Sequence, residues 1–250
     1  MSSTGQVDAF AESADPPVRG FLHRPAVATG NALVLTHGAG SNAQAPLLRS
    51  LADAFAAKGF VVLRCDLPYR QIRTFGPPGP GDAARDRSGL KNAISAIRKL
   101  LAETADEEDG PEFKRVAEGS RGNASVESKP ERIYLGGHSY GGRQSSMLCA
   151  QEPDLVAGLL LLSYPLHPPR RPEQQRTQHL PDLRTPTLFV QGTRDPFGTV
   201  EELQRAMKMV PAKTNLLTVE GAGHDLGFKG KANEGNLVAA IVAEFCGLMA

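Results

Sequence analysis

The chain of 250 residues has no tryptophan, three cysteines and only 6% aromatic residues. An odd, sparse cysteine set makes no disulfide framework. Cys65, Cys149 and Cys246 lie in apolar segments without metal-ligand spacing. They are expected as buried thiols in a reducing compartment, and neither a metal nor an organic cofactor is implied. Charge of one sign is not in excess either, since 28 Lys+Arg oppose 27 Asp+Glu for a net +1. That balance gives no argument for nucleic acid or anionic membrane as a bulk partner, and neither is expected. Long hydrophobic runs are missing. The longest, around residues 159–162, falls far short of the ~20 residues needed to cross a bilayer. No apolar run follows a basic start as in a signal peptide, so a cytoplasmic location is expected. Composition leaves the oligomeric state open.

What is present suits a single domain over 1–250. Hydrophobic residues make up 40% and charged residues 22%, enough for a sizeable core in a globule of this length. Short β-like runs alternate with helical patterns, the mark of an α/β fold with a mostly parallel central sheet and helices on both faces. Strands are expected at 18–23, at 7–10 with a weaker pattern, and at 32–36, 60–65, 132–135, 157–163, 187–191 and 215–219. Helices are expected at 47–58, stopped by Gly59, and at 143–151, 200–209 and 236–248. Ser88 is read as the cap of another helix, with Leu90, Ile94, Ile97 and Leu101 on its apolar face. Residues 71–86 read as loop. Residues 103–131 are polar and charged, too poor in apolar surface to offset their ordering entropy, and are expected as a disordered insertion. The Pro-rich stretch 165–183 reads as a minimal lid, a loop or one helix.

The chemistry is carried by Gly137-His138-Ser139-Tyr140-Gly141, which follows a β-like run and opens a helical stretch. Gly-x-Ser-x-Gly in this setting is a nucleophile elbow. A serine at the apex of so sharp a turn leaves its hydroxyl exposed above the sheet edge, and only glycine fits two residues to either side. Serine is a poor nucleophile at neutral pH and needs a base, itself oriented by an acid. Downstream strand ends supply one candidate for each role. Asp195 follows the 187–191 run and His224 follows the last strand, giving the order Ser, Asp, His. An oxyanion hole then needs two backbone N–H groups, assigned to Tyr140 and, in the His37-Gly38-Ala39-Gly40 loop, to Ala39.

Other candidates carry plainer readings. His37 and His138 are expected to pack or hydrogen-bond locally, and His23 and His179 to be structural. Asp154 and Asp182 read as loop residues, Asp225 as pointing away in a turn, and Asp66 as lying too early in the chain. Substrate choice is assigned to loops around Tyr69, Phe75, His167 and Phe197, with His167 placed to overhang the site. Arg70, Arg73 and Arg143 read first as solvated cations, with a mouth for an anionic substrate as the alternative.

With these motifs placed, the sequence resembles the α/β-hydrolase superfamily over nearly its whole length. It is similar to the small, lid-poor branch related to dienelactone hydrolases. Thr36-His-Gly-Ala-Gly40, Pro68-Tyr69-Arg70, the Gly-His-Ser-Tyr-Gly-Gly-Arg143 run, Ser163-Tyr-Pro-Leu166 and Phe189-Val-Gln-Gly-Thr-Arg-Asp195 also resemble one family within that branch. It holds predicted bacterial hydrolases, a testis-expressed vertebrate protein and the hydrolase-like domain of a chromatin acetyltransferase-complex subunit. Many of its members carry lysine at the position of His138 and methionine at that of Tyr140. Dienelactone hydrolases proper use a cysteine nucleophile, so Ser139 argues against that specific activity. The resemblance implies a serine hydrolase acting on a small ester, thioester or related acyl substrate. An interaction scaffold and a small serine peptidase are the alternatives it leaves open.

Overall fold

The computed structural model describes residues 5–108, 132–228 and 234–250. Eight strands form one sheet: β1 (Gln6–Glu12), β2 (Val18–Arg24), β3 (Asn31–Thr36), β4 (Val61–Cys65), β5 (Arg132–His138), β6 (Gly158–Leu162), β7 (Thr187–Gly192) and β8 (Thr214–Val219). Their order is β1-β2-β4-β3-β5-β6-β7-β8. β1 pairs antiparallel with β2 and β2 with β4, and every other pairing is parallel. Six helices accompany them among the described residues: α1 (Pro46–Ala56), α2 (Pro68–Ile72), α3 (Asp82–Glu108), α4 (Tyr140–Gln151), α5 (Val200–Met207) and α6 (Glu234–Met249).

Period-2 alternation sorts the core onto the two sheet faces. Ala32 and Val34 of β3, with Leu159 and Leu161 of β6, join Leu90, Ile94 and Ile97 of α3, Leu148 of α4 and Leu203 of α5. Leu33, Leu35, Leu160 and Leu162 point the other way, onto Leu48, Leu51 and Phe55 of α1 and Ile241 and Phe245 of α6. Central strands that are apolar at every position are what a sheet buried on both faces requires. The fold is the α/β-hydrolase architecture expected from the sequence.

Three local expectations need correction. Helix α3 begins at Asp82, whose carboxylate accepts the Gly79 N–H at 2.6 Å. Ser88 lies inside the helix, its hydroxyl donating back to Ala84 O at 3.2 Å. The expected loop 71–86 is also entered by α2, which starts with Pro68 at its first turn. Finally, 103–108 are helical rather than disordered. Ala and Glu extend an established helix without needing burial, because its nucleation is already complete. The rest of that expected insertion, 109–131, lies outside the described residues.

Residues 165–183 hold turns and one short 3₁₀ turn at Leu180–Asp182, so the cap over the sheet is small. Cys65 and Cys149 are buried, and burial pushes both thiols up to about 12. Cys246 is only half-buried, because α6 turns that side of its last turns toward solvent. No helix among the described residues is long and apolar enough to cross a membrane.

Candidate active site

The strand order reverses between β3 and β5, which opens a crevice beyond their C-terminal ends. Ser139 stands at the end of β5 with φ 51° and ψ −117°, a conformation that stores about 1–3 kcal/mol in a non-glycine residue. Its N–H is anchored on Leu162 O at 2.8 Å, and its own carbonyl accepts the Arg143 N–H at 2.9 Å in the first turn of α4. The turn is too tight for side chains beside it. A Cβ on Gly137 would lie 2.6 Å from Gly142 N.

The three residues singled out from the sequence meet here. His224 Nε2 lies 2.8 Å from Ser139 Oγ, and His224 Nδ1 lies 2.8 Å from Asp195 Oδ2. The other Asp195 oxygen accepts the Phe197 N–H at 2.8 Å, so both carboxylate oxygens are committed. The Asp195 side chain is fully buried while the imidazole keeps 23% exposure, the asymmetry expected of an orienting acid behind a base that must meet substrate. Phe197 packs over the imidazole at 4.2 Å between ring centroids. A hydroxyl held this way can pass its proton to the ring as it attacks.

His37 and His138 hydrogen-bond as expected, but with long-range partners that the sequence did not reveal. His138, the residue before the nucleophile, is half-buried in the cleft wall, and loss of solvent around its ring pushes it down to about 4. At neutral pH it therefore has a single N–H, and its Nε2 donates this to His224 O at 2.8 Å. The elbow and the histidine loop are thus tied by backbone as well as by the reacting atoms. His37 accepts the Leu67 N–H on Nε2 at 3.1 Å, which leaves Nδ1 as the donor to Gly38 O at 2.9 Å. Gly38 O also accepts from Ser41 N at 3.0 Å and the Tyr69 hydroxyl at 3.3 Å. A trans peptide points its N–H opposite its carbonyl, so the Ala39 N–H faces away from this cluster. A side chain on Gly38 would press on His138 Nδ1 at 2.8 Å and on the Ser139 Cβ at 3.2 Å, so the loop backbone approaches the nucleophile closely.

The plainer reading of Arg70 as a solvated cation is overturned. Its guanidinium is buried and donates to Ser41 O at 2.7 Å, Ala39 O at 3.0 Å, Gly76 O at 2.9 Å and Arg73 O at 3.1 Å. Tyr69 adds a bond from its hydroxyl to Ala39 O at 2.9 Å. Carbonyls at an irregular loop have no ladder partners, and a rigid fork of five donors satisfies several at once. Asp66 holds the next stretch through the Ala43 N–H at 2.7 Å.

The cleft above Ser139 has a volume of ≈ 560 Å³. Ala39, Tyr140, Phe197 and His224 line it, as do Pro77, Pro165, Arg143 and Arg176. Of the four expected pocket residues only Phe197 is there. Tyr69 is buried beneath the 38–41 loop, where its hydroxyl is used by carbonyls. Phe75 is 84% exposed and is not part of the cleft wall. His167 is drawn away by Glu202, 3.3 Å from its Nε2, and only its backbone N–H serves the site, by holding Phe197 O at 3.0 Å. Arg143, by contrast, lines the cleft instead of facing bulk solvent. Arg73 pairs with Asp82 at the surface, as a solvated cation does.

Four histidines are held below their ordinary value of 6.5, chiefly by burial: His23, His37, His138 and His179, the last two at about 4. Below pH 6.5 the unfolded chain takes up protons that these folded rings refuse. Stability is therefore full above pH 6.5 and is lost as pH falls toward 4, with a slope of up to about 1.4 kcal/mol per unit for each ring. Asp86, raised by burial, opposes this only at the acid end. A melting series between pH 7 and 4.5 is expected to show a steadily falling Tm, and a flat profile would contradict these buried neutral rings.

Comparison with known proteins agrees with the architecture. An alpha/beta hydrolase domain family matches residues 111–247, and the alpha/beta hydrolase family matches 33–176. A curated Escherichia coli K12 protein with the provisional name carboxymethylenebutenolidase is 25% identical over 186 residues. That match covers 71% of this chain, and the chain spans only 61% of that relative's length. The dienelactone hydrolase of Anabaena variabilis superposes with a TM-score of 0.67 at 20% identity, covering 96% of both chains. An alpha-beta serine hydrolase homologue from Coxiella burnetii gives 0.68 at 14% identity, covering 95% of this chain and 96% of its own. With family matches across more than half its length, strands in the required order and an elbow at the end of β5, the chain belongs to the alpha/beta hydrolase family.

Proposed function

We propose that this hydrolase cleaves a small ester or thioester through an acyl-serine intermediate. The observation that carries the reading is the unbroken run of 2.8 Å contacts from Ser139 Oγ through the His224 ring to Asp195. In the first step His224 Nε2 takes the Ser139 proton as Oγ bonds to the acyl carbon. The Ala39 and Tyr140 N–H groups receive the resulting oxyanion, and the imidazolium is steadied by Asp195. The same proton then passes to the departing alcohol or thiol. Water, deprotonated by His224, releases the acid and restores Ser139. A small cap over an ≈ 560 Å³ cleft favours short substrates over long acyl chains. Free cysteines fit a reducing, cytoplasmic setting.

Turnover of a p-nitrophenyl ester panel, acetate to octanoate, tests this. Activity is expected to be highest on short chains. Ser139→Ala is expected to remove it while changing stability by no more than about 0.5 kcal/mol. A Ser139→Ala protein that keeps more than about a tenth of wild-type turnover, with background water hydrolysis subtracted, would place the chemistry elsewhere.

A further inference from the structure

Two arginines at one end of the cleft have no acidic partner. Arg143 sits one turn into α4, its N–H bonded to Ser139 O, so its side chain rises from the same face as the nucleophile, about 6 Å along the axis. Its Nε is buried with no hydrogen-bond partner. Arg176 comes from the loop after β6 and is pinned on both sides. Its N–H donates to Leu166 O at 2.8 Å, its carbonyl accepts the Tyr164 hydroxyl at 3.0 Å, and its guanidinium reaches only Pro165 O, at 3.3 Å. Neither arginine makes an ion pair with any described carboxylate. The surroundings do not dilute the charge. His179, bonded to Ser146 Oγ at 2.8 Å, is kept neutral at pH 7 by burial first and then by Arg143 and Arg87. Burial and the nearby Arg143 charge also hold Arg176 below its ordinary value.

Two cations turned into one cleft, one with an orphaned buried donor, are costly in an empty protein and favourable around an anion. Gln71, Gln144, Ser163 and Gln191 also carry an unpaired buried polar atom, but of these five residues Arg143 alone lines the cleft and alone is charged. We propose that Arg143 and Arg176 form a carboxylate-binding subsite, so that the substrate is an ester or thioester bearing a free carboxylate a few carbons from the scissile carbonyl. This rests on the hydrolase reading for what happens to the bound molecule, but not for the binding itself. A planar carboxylate can take two parallel bonds from an arginine fork, which fixes the orientation of the substrate as well as holding it. The carboxylate can belong to the acyl half or to the leaving half.

Two pairs of probes separate those cases: mono-p-nitrophenyl adipate against p-nitrophenyl hexanoate, and para-acetoxybenzoate against para-acetoxybenzamide. In at least one pair the anion is expected to have about tenfold or higher kcat/KM. That ratio is expected to fall about tenfold or more in Arg143→Met and in Arg176→Met, and less in Arg143→Lys. Loss of the ratio in two variants on different elements guards against a folding defect in either. Equal use of neutral and charged probes in both pairs would overturn the subsite while leaving the hydrolase reading intact. Binding of the adipate monoester to Ser139→Ala, followed by titration calorimetry, reads the subsite without turnover. Weaker binding by about tenfold after adding Arg143→Met supports it, and no detectable binding, or binding unchanged by that substitution, overturns it. Retained binding with no turnover by wild type would instead sink the hydrolase reading.

Discussion

His224→Ala is expected to lower kcat on p-nitrophenyl acetate by about 10⁴-fold or more, with Asp195→Asn close behind at about 10⁴. No neighbouring group can take over. His138 is the nearest other imidazole, its ring centroid 5.2 Å from that of His224. Its Nε2 is spent on the His224 carbonyl, and its burial makes it a base of pKa about 4, too weak to collect a serine proton at neutral pH. Asp195→Asn replaces an acceptor with a group that can donate to Nδ1, so the ring presents the wrong tautomer to Ser139 even if its position is unchanged. Steady-state kinetics on protein with unaltered circular dichroism would check both variants. A His224→Ala enzyme within about a hundredfold of wild type would contradict the proposed proton route.

The second large effect is expected far from the reacting atoms. Arg70→Met removes the guanidinium that satisfies the Ala39, Ser41, Arg73 and Gly76 carbonyls together. With Ala39 O left to the Tyr69 hydroxyl alone and Ser41 O unpaired, the 38–41 loop can turn its peptides, and the Ala39 N–H need no longer face the oxyanion. Loss of one such donor lowers kcat by about 10²–10³. An oxyanion exists only in the transition state, so the loss is expected in kcat with KM changed little. Arg70→Lys, which keeps one point charge but not the fork, is expected to recover part of the rate. A fall in Tm without a fall in kcat would show that the contact only supports the loop. So would equal changes in kcat and KM.

The site was legible where function follows local pattern. Ser139 is announced by glycines within two residues, and Asp195 and His224 by their places just beyond apolar runs. The strand periods that set those places are the same alternation that fills the two core faces. Residues whose roles depend on distant partners were read poorly. Arg70 meets the 38–41 loop across about thirty residues of sequence, and nothing near it in the chain signals that buried carbonyls await it. Tyr69 and His167 were placed in the pocket because their loops border it, yet their side chains follow Ala39 O and Glu202 instead. Phe75 was assigned with them from its loop, and its side chain stands in solvent instead. The early start of α3 was missed because Gly and Pro density masked the anchoring of Gly79 on Asp82.

Labelling with an alkyl fluorophosphonate, read by intact mass and then by tandem mass spectrometry of the digest, tests the central claim most directly. One phosphonyl group per chain on Ser139, absent from Ser139→Ala and strongly slowed in His224→Ala, is the expected result. An unlabelled wild-type protein, or an adduct on any other side chain, would contradict it.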